Sequence, residues 1–187
     1  MRIEPDQATV LEAFSAVNNA TVFAESRSLV ERGLMPVEML RAMAASPGML
    51  QAFAALCDVI YPGGTLSRDV QELVILTASQ KNACQFCHAS HLDIARMVGV
   101  SCDPALLLND PSQRTAQQDL AQKYTLQLMQ DSNAVSDALF ESVRASFGDA
   151  GAVELTMLVG YINTLNMFNN ALQNRYHGEL GEQGGAK

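Results

Sequence analysis

The sequence predicts an all-α protein, and three observations carry that expectation. Apolar residues recur at three- and four-residue spacing along most of the chain, the period of a helix with one buried face. Sustained alternation of apolar and polar residues, the mark of a half-buried strand, is almost absent. Helix caps and breakers also divide the chain into segments of helical length.

Residues 5–18 and 22–33 read as the first two helices, with Gly33 as a stop. Pro36 opens a short helical segment over Val37 to Met43. Ser46-Pro47 breaks it, and an apolar helix follows through Leu50, Phe53, Leu56 and Ile60 to the stop Pro62-Gly63-Gly64. Ser67 caps the next helix and Asp69 lies in its first turn, where the helix dipole favours an anion. That helix fades near Asn82, and another runs from about Cys84 to Gly99. Asp103-Pro104 is a cap followed by proline at the first helical position. A turn at Asn109 to Ser112 leads to an amphipathic helix over 113–130. Ser136 caps a helix ending near Gly148, and a last long helix spans 150–176. The glycine-rich tail 178–187 is expected to be flexible.

A chain of 187 residues, 48% of them hydrophobic, supports a single all-helical domain over 1–187. The formal net charge of -8 and the absence of any basic run argue against nucleic acid and against an anionic membrane surface. No apolar stretch approaches the ~20 residues of a membrane span, and Met1 to Asp6 shows no secretory signal. The expected location is the cytoplasm, where a close cysteine pair is catalytic or metal-binding more often than a structural staple.

One internal echo stands out. Val70-Gln71-Glu72-Leu73 followed by Leu76 resembles Ala152-Val153-Glu154-Leu155 followed by Leu158. In that register Asn166, Asn169 and Gln173 answer to Cys84, Cys87 and His91. The echo admits two degenerate half-repeats, 35–100 and 113–176, the second without the chemistry. Chance similarity between two amphipathic helices would look much the same.

The chemistry-bearing stretch is Glu72, then eleven residues, then Cys84-Gln85-Phe86-Cys87-His88-Ala89-Ser90-His91. Residues three or four apart are neighbours on a helix. Cys84 with Cys87, Cys87 with His91, and Cys84 with the auxiliary candidate His88 therefore share one face. A thiol reacts as its thiolate. A helix N-terminus stabilises that anion, an imidazole one turn away can take the proton, and a carboxylate such as Glu72 can orient the imidazole. Cys-x-x-Cys also occurs in thioredoxin-like proteins, zinc sites and haem attachment sites. Here no strand precedes Cys84, no second cysteine or histidine pair completes a zinc set, and no export signal accompanies the Cys84–His88 string. Cys57 reads as a buried inert thiol, and Cys102 as a loop bystander.

The pattern Glu72-x11-Cys84-x2-Cys87-x3-His91 resembles the signature of the carboxymuconolactone decarboxylase-like superfamily, and within it the alkylhydroperoxidase D type. The flanks Leu66-Ser67-Arg68, Asn82 and Ala95 to Gly99 are also similar, and the likeness extends more weakly over residues 35 to 175. The resemblance implies an alkylhydroperoxidase D-like helical bundle assembled as a homo-oligomer, a trimer or hexamer. It implies Cys87 as the thiol attacking an organic hydroperoxide, Cys84 as the resolving thiol, and Glu72 with His91 as the proton relay. It implies no bound cofactor, the electrons coming from an external dithiol of lipoyl type. Some relatives carry histidine just before the second cysteine, where this chain has Phe86. The decarboxylase branch generally lacks the cysteine pair. Beside the peroxidase stand a disulfide-exchange or thiol-sensor protein, a decarboxylase-like lyase and a zinc-binding module.

Overall fold

The structure, a computed structural model, describes residues 1–17, 23–61, 64–100 and 102–178. Among these, helices are the only regular elements: α1 Gln7–Ser15, α2 Ala24–Glu31, α3 Glu38–Ala44, α4 Pro47–Ile60, α5 Arg68–Lys81, α6 Gln85–Met97, α7 Pro104–Asn109, α8 Ala116–Gln130 and α9 Asp137–Leu172. Short 3-10 turns occupy Pro111–Gln113 and Ser132–Ala134. The fold is all-α, as the periodicity requires. The expected helix start at Val22, the Pro62-Gly63 part of the breaker and the tail beyond Gly178 lie outside the described residues.

Where the sequence suggests one domain, the chain groups into two compact units. The first comprises Met1–Pro62 and Asn169–Tyr176. Asp6 caps α1 by accepting the Thr9 amide at 2.8 Å, and Pro47 opens α4 at a position where its missing N–H costs nothing. Val10, Phe14, Leu40, Leu50 and Phe53 form its apolar interior, with the rings of Phe23 and Phe53 stacked at 5.4 Å.

The second unit, Gly63–Phe168 with His177–Lys187, holds the cysteine pair. Its central element is α5, in which every residue from Val70 to Ser79 is buried. Helices α6, α7 and α8 pack against it, and Leu73 and Leu76 meet Leu107 and Leu108 of α7. A half-exposed amphipathic helix would show one wet face; α5 has none over this span. The amide of Gln122 on α8 donates to Thr77 Oγ1 at 3.3 Å and to the Leu108 carbonyl at 3.2 Å, tying three helices together.

The break between α5 and α6 is sharp. Cys84 N–H donates to the Ser79 carbonyl at 2.9 Å and Ala83 N–H to that of Gln80 at 3.1 Å. This is the paired closure that puts one residue in the left-handed region, usually glycine. Gly99 fills that role at the end of α6 with φ 70°, but after α5 the residue is Ala83, with φ 50°. Asp103 caps α7, and Thr115 with Gln118 forms a reciprocal capping box on α8. Gly148, with φ 72° and ψ 174°, interrupts α9 where the sequence places the end of one helix and the start of the next. The remainder of α9 then runs unbroken to Leu172. It contains no counterpart, at the echo register, of the α5–α6 break.

Candidate active site

Helix α5 begins at Ser67, whose hydroxyl accepts the Val70 amide. One turn in, Arg68 and Glu72 share a face, and their charged ends lie 2.7 Å apart, guanidinium to Oε1. Glu72 itself is 0% exposed. Its other oxygen, Oε2, meets His91 Nδ1 at 2.8 Å across the α5–α6 pair. A carboxylate paired with a guanidinium accepts from the imidazole, so the imidazole carries its proton on Nδ1 and presents Nε2 as the basic nitrogen.

The cysteines occupy the first turn of α6. Cys84 is the N-cap: its sulfur accepts the Cys87 amide at 3.4 Å. The two sulfurs are 2.9 Å apart, both are free thiols, and they are 1% and 3% exposed. His91, 7% exposed, lies one turn beyond Cys87 on the same helix. Several contacts on Cys84 favour its anion. Its pKa is lowered from the ordinary 9.0 to about 7, chiefly by the hydrogen bond shared with the Cys87 sulfur, against the opposing effect of burial. The Cys87 and Phe86 backbone amides and the Asn166 side chain add to the lowering. The cap amide thus falls on Cys84, the expected resolving thiol, while Cys87, the expected attacking thiol, lies one turn from His91.

The structure therefore brings Glu72, His91, Cys84 and Cys87 into one buried neighbourhood within the second unit. His88, the auxiliary candidate, has its ring hydrogen-bonded to the Leu76 carbonyl of α5, and burial lowers its pKa. Phe86, between the cysteines, is buried. Cys57 is buried in α4 of the other unit, while Cys102 is half-buried and donates to the Asp103 carbonyl. Among the described residues no three or more His, Cys, Asp or Glu side chains converge as a metal-holding group. No helix among them is long and apolar enough to cross a membrane.

Three contributors were missed from sequence. Arg68 has a local signal, its i, i+4 spacing to Glu72. Ser79 has none, and Asn166 stands out only as the counterpart of Cys84 in the internal echo. The Asn166 amide donates to Ser79 Oγ at 3.1 Å, although the two are 87 residues apart.

The carboxymuconolactone decarboxylase family profile matches residues 47–108, the stretch holding Glu72, Cys84, Cys87 and His91. A protein of unknown function from Agrobacterium tumefaciens, suggested to be an AhpD-type antioxidant defence protein, is 28% identical with a TM-score of 0.64. That match covers 71% of this chain and 93% of the other. The chain is similar to the carboxymuconolactone decarboxylase-like superfamily. Its fold is of the alkylhydroperoxidase D type. The alkylhydroperoxidase AhpD core of a peroxidase-related protein from Ralstonia eutropha JMP134 superposes with a TM-score of 0.76 at 20% identity, covering 96% of this chain and 93% of that one. The debrominase Bmp8 shares the fold as well, at TM-score 0.62 and 16% identity over 96% and 90% of the two chains. One superfamily fold thus carries more than one kind of chemistry, and the reaction must be argued from the site.

Proposed function

We propose that this protein is a thiol-dependent hydroperoxide reductase whose redox centre is the Cys84–Cys87 pair. One observation carries the reading: two buried thiols 2.9 Å apart stand at the start of the helix that carries, one turn beyond Cys87, a histidine held by a buried glutamate at 2.8 Å. In the proposed reaction the Cys87 thiolate attacks one peroxide oxygen. The S–O bond forms, the O–O bond breaks, and the alkoxide takes a proton supplied through His91, leaving as an alcohol. The Cys84 sulfur then attacks the Cys87 sulfenic acid, forming the disulfide and releasing water. An external dithiol reduces that disulfide and becomes a disulfide itself. In sum, one hydroperoxide and one dithiol give one alcohol, one water and one disulfide.

Burial narrows the partners. Sulfurs 1% and 3% exposed favour a small electrophile over a folded protein disulfide. They likewise favour a reductant presented on a slender arm, as a lipoyl group is. Peroxide is the electrophile of choice because its reduction needs a proton delivered to a departing oxyanion, the task a Glu72-oriented His91 suits.

The test is consumption of an organic hydroperoxide by the reduced protein with dihydrolipoamide. Wild type should turn over, and Cys87→Ser and Cys84→Ser should each lose at least a hundredfold. Equal slow consumption by wild type and Cys87→Ser would remove the peroxidase reading and leave reduction of another small electrophile by the same dithiol.

A further inference from the structure

We infer that Asn82 is a positioning residue: it ties the α5–α6 turn to α9, holds Cys84 in place to close the disulfide with Cys87, and so favours the oxidised pair. The inference rests on the dithiol reading above for its place in the cycle.

Asn82 ends α5 and is half-buried. Its backbone N–H still bonds within the helix, to the Ala78 carbonyl at 2.9 Å. Its side chain reaches to α9. An amide NH2 has two hydrogens, and both are used: Asn82 Nδ2 donates to Asn163 Oδ1 at 2.7 Å and to Asn166 Oδ1 at 3.1 Å. Those acceptors stand one turn apart on α9, neighbours on one helix face. Asn166, wholly buried, donates in turn to Ser79 Oγ at 3.1 Å, back on α5. The last turn of α5 is thus held to α9 at both Ser79 and Asn82, all within the second unit.

Cys84 hangs from that turn. Its N–H donates to the Ser79 carbonyl at 2.9 Å, and that of Ala83 to the Gln80 carbonyl at 3.1 Å. Ala83 sits between Asn82 and Cys84 with φ 50°. A non-glycine residue keeps such a conformation only where its surroundings fix it from more than one side. Apolar packing would set the distance between α5 and α9. Hydrogen bonds are directional, so the asparagine tie also fixes the orientation of the turn, and with it the place of the Cys84 sulfur.

The consequence appears in exchange with lipoamide. The Cys87 thiolate attacks one lipoyl sulfur, the lipoyl S–S bond breaks, and a mixed disulfide forms. The Cys84 thiolate then attacks the Cys87 sulfur, forming the Cys84–Cys87 bond and releasing that lipoyl sulfur. The two lipoyl sulfurs take up the two protons that the cysteines gave up. Two electrons pass from the protein to lipoamide, which leaves as dihydrolipoamide. The closing step is intramolecular, so its yield follows the effective concentration of Cys84 at Cys87. A turn held in place before closure raises that concentration, and by reciprocity closure strengthens the hold.

The experiment equilibrates the whole protein with lipoamide and dihydrolipoamide at set ratios, quenches with acid, and reads the Cys84–Cys87 disulfide by peptide mass. Asn82→Ala should lower the equilibrium constant for disulfide formation by about fivefold, the worth of one net hydrogen bond. Asn163→Ala, which removes one of the two acceptors, should lower it by less. Urea unfolding of each variant in both redox forms separates positioning from support: a merely structural tie destabilises both forms equally and leaves the constant where it was. If Asn82→Ala does not fold, Asn163→Ala decides. A constant unchanged from wild type in every folded variant overturns the inference, as does a shift toward disulfide. The titration contains no hydroperoxide, so a wild type that consumes no peroxide removes the peroxidase reading and leaves this result standing. A wild type that forms no disulfide at any ratio overturns both.

Discussion

Replacing Glu72 by glutamine changes one buried atom, and its consequences can be worked from the contacts. The carboxylate's Oε1 forms an ion pair with the Arg68 guanidinium at 2.7 Å, and its Oε2 is hydrogen-bonded to His91 Nδ1 at 2.8 Å. Glutamine fills the same volume but has only one oxygen. If that oxygen faces His91, the amide NH2 faces the guanidinium, donor against donor. Arg68 is 26% exposed, so solvent screens this loss to about 1 kcal/mol. If the oxygen faces Arg68, the NH2 faces Nδ1, and the imidazole must shift its proton to Nε2. A charge-assisted hydrogen bond of roughly 1.5–3 kcal/mol is then weakened, and the basic nitrogen is lost. The cheaper arrangement prevails, so the reduced protein should lose about 1 kcal/mol. For a chain of this length that lowers Tm by roughly 2–4 °C. Glu72→Leu, which removes both acceptors, should cost more, about 3–5 kcal/mol. Thermal unfolding followed by circular dichroism in matched buffer is the assay. Arg68→Met should be sub-additive with Glu72→Gln, because both break one contact. A Glu72→Gln melt within 1 °C of wild type, with strict additivity in the double variant, would mean that the carboxylate is not held between these two groups, and the relay argument would go with it.

Ala83→Gly should stabilise the chain by about 0.5 kcal/mol: the left-handed φ of 50° costs alanine about 1 kcal/mol, partly offset by the greater unfolded freedom of glycine; urea unfolding would detect it. Gly64→Ala should destabilise by roughly 2 kcal/mol, since the new Cβ would meet Glu154 Oε1 at 2.1 Å and displace a carboxylate that accepts from Thr65 N at 2.8 Å, Thr65 Oγ1 at 3.0 Å and Leu66 N at 3.3 Å; the same urea series reads it, and a neutral result would count against that tie. Reduced wild type should also gain stability over Cys84→Ser as pH rises. The folded pKa of about 7 lies below the ordinary 9.0, so the contribution is fully present above about pH 9 and is lost as pH falls through about 7; the span is roughly 2 kcal/mol, and unfolding midpoints at pH 6.5 and 9 under reductant would check it.

The helices were legible because each carries its own punctuation. Ser67, Asp103-Pro104 and Gly148 all act where the sequence sets them. The α5–α6 break was legible only approximately, since Ala83 in a left-handed turn has no residue-type signal, glycine being the expected occupant. Clustering of the four site candidates followed from spacing, with Glu72 the least secure: within an apolar run it could have faced solvent, and burial of α5 on all sides was what removed that choice. Asn166 and Ser79 were invisible as partners because a hydrogen bond across 87 residues leaves no local pattern. Spacing says that Cys87 is near His91, but only the cap geometry says which sulfur receives the amide of the first turn.

The two glutamates that echo each other in sequence bear on the same helix in different ways. Glu72 meets its partners inside α5 and α6. Glu154 instead ties down Thr65 and Leu66, the residues immediately before the Ser67 cap. The start of α5 is therefore fixed by an acid on α9, and Arg68, the first residue of α5, is placed by that start. A shift of the Thr65–Leu66 segment would move the guanidinium before it moved Glu72, which is anchored deeper by burial and by His91. The Arg68 contact is for that reason the part of the site most sensitive to the loop, and His91 the part least sensitive. Substitutions at Gly64 or Glu154 should act on Glu72 chiefly through its Oε1, leaving the Oε2–His91 contact and the cysteine pair in place.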